Sequence, residues 1–117
     1  QSLRLQQNSS FTSADSYTGA TSISFYYSQV TNGFNNPHNL TLTAIINGTV
    51  TVYLINNQPI PKTWTQASFD LSYFYTTGVN GVVYPKATTE VTFSFNFVGH
   101  SNPKGDLNLD DLIILCE

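Results

Sequence analysis

Apolar and polar residues alternate in short runs along this chain, with Gly, Asn and Pro between the runs, and that period of two predicts β-strands throughout. Residues 2–6 carry Leu3 and Leu5 on one face, and residues 8–19 are polar and turn-rich. Residues 21–29 set Ile23, Phe25 and Tyr27 against Ser22, Ser24 and Tyr26. Residues 40–46 and 49–55 alternate on either side of Asn47-Gly48, a dipeptide that suits a hairpin because both residues tolerate positive φ. A Pro-rich corner at 58–62 precedes a strand at 64–71, a loop at 73–80 and a short edge strand at 81–84. Residues 91–98 turn Val91, Phe93, Phe95 and Phe97 inward and Thr92, Ser94 and Asn96 outward. No helical period outlasts a turn. Roughly seven or eight short strands pack most naturally as two antiparallel sheets face to face.

The last run, residues 105–115, breaks the rule that one face is apolar. Strict alternation would point Leu107, Leu109, Asp111, Ile113 and Leu115 one way and Asn108, Asp110, Leu112, Ile114 and Cys116 the other. Either face then includes an aspartate, and an unpaired buried carboxylate is costly. This strand is therefore expected to meet a donor cluster, a cation or the margin of the core.

Composition narrows the class. The 117 residues are enough for one domain, and 40% of them are hydrophobic, so a core of ordinary size is available. Only 9% are charged, against about 25% in an average soluble domain. Asn, Gln, Ser and Thr must keep the surface wet, a habit of exported β-proteins, and the expected location is secreted or cell-surface. A net charge of −3 with scattered Arg4, Lys62, Lys86 and Lys104 leaves no basic patch, which argues against nucleic acid. No apolar run reaches the ~18 residues of a membrane-spanning helix, so membrane insertion is not expected. A start at Gln1 with no Met anywhere reads as a processed product or a piece of something longer.

Candidate chemistry is sparse. Sequons stand at Asn8, Asn39 and Asn47, although a chain so rich in Asn, Ser and Thr produces them by chance. Tyr26 and Tyr53 fall opposite Phe25 and Val52/Leu54 and are expected outside, where they would suit a glycan or a protein partner. Trp64 opens a strand after the Pro-rich corner, a position expected to anchor the core; a stacking platform for a sugar ring is the other reading. His38 and His100 lie in separate loops without ligand spacing. The lone Cys116 is a buried small residue, half of a disulfide to another chain or to a segment beyond this sequence, or a nucleophile with nothing nearby to activate it. No nucleophile elbow, paired-acid or phosphate-binding pattern appears, and no enzyme is expected.

Ser2-Leu3-Arg4-Leu5, Ile23-Ser24-Phe25-Tyr26-Tyr27, Trp64 through Asp70-Leu71, Val91-Thr92-Phe93, Gly105-Asp106 and Leu109-Asp110-Asp111-Leu112 follow one another in an order that resembles the jelly-roll module of MAM-type adhesion domains and the related galactose-binding-like carbohydrate-binding modules. The resemblance spans about four fifths of the chain and implies an all-β, two-sheet antiparallel jelly-roll sandwich. It implies a structural Ca²⁺ on the last strand, with Asp110 the first-choice ligand and Asp111 the second; the alternative is that both accept loop N–H groups. It implies a structural Trp64. Cys116 stands where MAM-type domains have their last cysteine, but the usual partner and an N-terminal segment are missing. An absent strand would leave an edge that a neighbouring subunit could cover by strand addition. The expected function is a non-catalytic extracellular recognition or adhesion module acting through protein or self association. A filament subunit built by strand sharing and a carbohydrate-binding module are the alternatives.

Overall fold

A computed structural model describes residues 2–6, 10–12, 15–31, 39–98 and 105–116. Nine strands run in chain order: β1 (Ser2–Gln6), β2 (Ser10–Thr12), β3 (Tyr17–Thr18), β4 (Ser22–Thr31), β5 (Asn39–Ile46), β6 (Val50–Pro59), β7 (Thr65–Asp70), β8 (Glu90–Val98) and β9 (Gly105–Leu115). They form two antiparallel sheets, ordered β1-β9-β4-β7 and β2-β8-β5-β6, with β3 beside β8 on the same edge as β2. From β4 onward the chain crosses between sheets at every connection except the β5–β6 hairpin. The all-β, two-sheet jelly-roll sandwich expected from the alternation is the fold observed.

The inner faces come from the predicted positions. Ile23 and Phe25 of β4 meet Leu40, Leu42, Ala44 and Ile46 of β5 and Val91, Phe93, Phe95 and Phe97 of β8, all buried. Phe25 and Phe95 join the sheets edge to face, with ring centroids 5.3 Å apart at 78°. Asn47 and Gly48 take φ of 51° and 74°, and Thr49 N–H closes the turn on the Ile46 carbonyl at 3.0 Å. The hairpin expected at Asn47-Gly48 is present, but its connection is one residue longer, Asn47 to Thr49, with Ile46 paired to Val50.

Four expectations need correction. Two short strands, β2 and β3, lie within the segment read as turns. Residues 81–84 form no strand; a single bridge joins Val79 and Val82 about Asn80-Gly81, where both φ values are positive. A 3₁₀ turn, Ser72–Tyr75, occupies part of the expected loop and buries Phe74.

The fourth correction concerns β9, where the alternation slips. Ser24 pairs with Ile113 but Tyr26 pairs with Asp110, so Phe25 faces two residues, Asp111 and Leu112. Asp111 sits at φ 56°, and Asp110 Oδ1 accepts its N–H at 2.9 Å. This is a β-bulge with its left-handed position filled by aspartate, one of the few side chains that tolerates it. Before the bulge Leu109 points into the core; after it Ile114 does, and Ile113 and Leu115 turn outward. The bulge thus keeps both aspartates out of the core with no buried carboxylate to compensate. β1 accompanies β9 only as far as Asp110, and among the described strands none pairs with residues 111–115 on that side.

Candidate functional site

The outer face of the four-stranded sheet collects the side chains best suited to a ligand. Register places Tyr26 between Gln66 on β7 and Asp110 on β9. One step along, Ser24 lies between Ser68 and Ile113, and Ser22 between Asp70 and Leu115. In the other direction Ser28 pairs with Asn108, and the β4–β7 register carried one residue further sets Trp64 across from Ser28. Tyr26 is 39% exposed and Trp64 51%.

Trp64 is therefore a surface residue and does not anchor the core. Ile60, buried at the start of the Pro-rich corner, fills the core position there, and the indole is left two residues before Gln66 at the head of β7. Trp64 immediately precedes Thr65, whose cross-strand partner Tyr27 is the chain neighbour of Tyr26. Around them stand an amide (Gln66), a carboxylate (Asp110) and a second amide (Asn108), while Ser28 is buried. The side chains described here are uncharged and acidic donors and acceptors around exposed aromatics, and the register sets Arg4 of β1 opposite Asn108 on the same sheet.

The second expected tyrosine is elsewhere. Tyr53 is 59% exposed, but it lies on the outer face of the other sheet, paired with Thr43, which pairs in turn with Ser94. Thr12 and Ser94 share a hydroxyl–hydroxyl hydrogen bond of 3.1 Å on that face. Tyr26 and Tyr53 thus point away from each other across the sandwich and form no common site. Sequence reading missed this use of Trp64 because the indole was weighed as a core anchor after the Pro-rich corner, although alternation sets it opposite Ala67, Phe69 and Leu71.

Asp110 is half-buried on the Tyr26 face and Asp111 is exposed at the bulge. Calcium takes six to eight oxygens, and among the described residues no group of three or more His, Cys, Asp or Glu side chains gathers. Cys116 is exposed and not disulfide-bonded, which overturns the buried-residue reading of that thiol. Asn39 and Asn47 lie on β5 and its hairpin; Asn8, His38 and His100 lie outside the described residues. No described helix is long and apolar enough to cross a membrane.

Burial raises Tyr27 and Tyr73. Burial, with the nearby Cys116 sulfur adding to it, pushes the Tyr75 phenol up to about 12. The Ser72 hydroxyl and backbone N–H hold the exposed Asp70 carboxyl below its ordinary value.

No protein-family model matches this chain, and curated proteins give no match in sequence. Solved structures do resemble it. The carbohydrate-binding module TmCBM61, solved in complex with β-1,4-galactotriose, aligns over 99% of this chain and 70% of its own, with a TM-score of 0.51 and 12% identity. A family 4 carbohydrate-binding module aligns over 99% of this chain and 73% of its own, with a TM-score of 0.46 and 16% identity. At such identity the likeness is one of fold: this chain has the β-sandwich on which carbohydrate-binding modules are built.

Proposed function

We propose that this chain is a non-catalytic extracellular recognition module that binds a neutral glycan on the outer face of the β1-β9-β4-β7 sheet. The observation that carries the reading is exposed Tyr26 between Gln66 and Asp110 on one sheet face, with exposed Trp64 immediately before β7 of the same sheet. The C–H-rich face of a pyranose lies flat on an aromatic ring, while its hydroxyls turn to amide and carboxylate groups at the rim. The shared fold with a galactotriose-binding module makes β-1,4-linked galactose oligomers the first ligand to try. An open sheet face buries little of a ligand, so affinity is expected near 0.1–1 mM, about −4 to −5.5 kcal/mol.

Titration calorimetry against a panel of neutral oligosaccharides tests this. Trp64→Ala should weaken binding at least about tenfold, or ~1.4 kcal/mol, and Tyr26→Ala should weaken it by a smaller factor. Binding unchanged in both variants would remove the site.

The protein- or self-association reading has an observation of its own. Beyond Asp110 no described strand covers the outer edge of β9, and Leu112, Ile113 and Leu115 are exposed there. A largely apolar strand edge of this kind, with Asp111 its one charged residue, is a template for strand addition. Filament assembly would proceed through that edge and leave Trp64 free.

A further inference from the structure

The two described sequons are built into the fold in opposite ways. In Asn39-Leu40-Thr41 both groups that define the sequon are already in use. Asn39 Nδ2–H donates to Asn57 Oδ1 at 3.2 Å, and Thr41 Oγ1 accepts the Asn57 backbone N–H at 3.1 Å. Asn57 itself sits at φ 52°, at the point where the β5–β6 register shifts, so these bonds stitch the irregularity closed. Asn39 is also half-buried within β5, paired with Val98 on one side and Pro59 on the other.

Asn47-Gly48-Thr49 is arranged differently. All three residues are exposed at the tip of the β5–β6 hairpin. Asn47 Oδ1 accepts the Glu90 backbone N–H at 2.9 Å, which orients the side-chain amide through its oxygen and leaves the nitrogen on the opposite side. Nothing lies within 4 Å of where a Cβ on Gly48 would stand, so the space over the turn is open.

We propose that Asn47 is an N-linked glycan acceptor in this protein and that Asn39 stays unmodified. This rests on the extracellular part of the proposed function. The reaction joins Asn47 Nδ2 to C1 of an oligosaccharide carried on a polyisoprenyl pyrophosphate. The amide gives up one proton, the bond from C1 to the phosphate oxygen breaks, and the pyrophosphate lipid leaves; no oxidant or reductant is needed. The linked amide keeps its carbonyl oxygen, so the bond from Glu90 N–H survives the modification. The hairpin belongs to the sheet opposite Trp64 and Tyr26, so a glycan there leaves the proposed sugar-binding face clear.

The test is peptide mapping of the full chain secreted from a eukaryotic cell behind an added leader, after enzymatic deglycosylation in heavy-oxygen water. The expected result is labelled aspartate at position 47 and none at position 39. Thr49→Ala, which removes the sequon without touching Asn47, should lose one glycan from the mass of the intact protein. Label at position 39, or an unlabelled position 47 in the secreted wild type, would overturn the assignment. Oligosaccharide titration of the deglycosylated protein reads the Trp64 face separately, so either proposal can fail without the other.

Discussion

Asp111 shows how one backbone torsion decides the chemistry of a strand. At φ 56° it absorbs the extra residue opposite Phe25, and Asp110 Oδ1 takes up its N–H. A β-branched residue at that torsion clashes with its own carbonyl, whereas glycine does not. Asp111→Val should therefore cost about 1–2 kcal/mol of stability, while Asp111→Gly should stay within about 0.5 kcal/mol of wild type or gain slightly. Denaturant midpoints at unchanged slope measure both. Equal stability for Val and Gly would mean the bulge is not formed in solution. The sequence announced a conflict here, since an aspartate fell on either face of an apolar strand, but not its resolution. A one-residue slip changes no composition and leaves each half of the strand alternating, so simple period-two reading carries straight through it. Trp64 escaped for a different reason: the phase of Ala67, Phe69 and Leu71 turns it outward, but a lone large aromatic after a Pro-rich corner suggests the core.

At the scale of elements, the legible ones were those whose partners sit on a single buried face. β5 and β8 alternate without interruption because each is packed on one side and open on the other, and Asn47-Gly48 marks the hairpin between β5 and β6 by its two positive φ values. β2, β3 and the 3₁₀ turn at Ser72–Tyr75 were not legible, because each is too short for a period and is held by contacts distant in sequence. Tyr75 shows what such a contact does. Its hydroxyl donates to the Ala20 carbonyl at 2.7 Å and so ties the 3₁₀ turn to the entrance of β4. Only the neutral phenol can make that bond. Its folded pKa of about 12 lies above the value near 10 of a free phenol, so the folded chain holds the proton more tightly. The resulting stabilisation is complete below about pH 10 and is lost as pH rises from about 10 to about 12. Tyr75→Phe should lower the melting temperature at neutral pH yet flatten its decline across that alkaline window. An unchanged alkaline slope would mean the phenol is not protected by the fold.

Across the whole molecule, the sandwich presents two unlike outer faces. One carries hydroxyls and Tyr53 with few charges, and above it the Asn47 hairpin offers an attachment point. The other gathers Trp64, Tyr26, Gln66, Asn108 and Asp110 at one end and Ile113 and Leu115 at the other. A core spanned by Phe25 and Phe95 fixes the two sheets back to back, so the faces act independently. The most direct measurement is a titration of uniformly ¹⁵N-labelled protein with β-1,4-galactotriose and other neutral oligosaccharides, followed by amide chemical shifts. The account predicts that the saturating shifts gather on residues 22–28, 64–70 and 108–115, with the Trp64 indole N–H among the largest, and that β5 and β6 stay still. Shifts confined to the Tyr53 face, or no saturable shift with any neutral glycan, would contradict it.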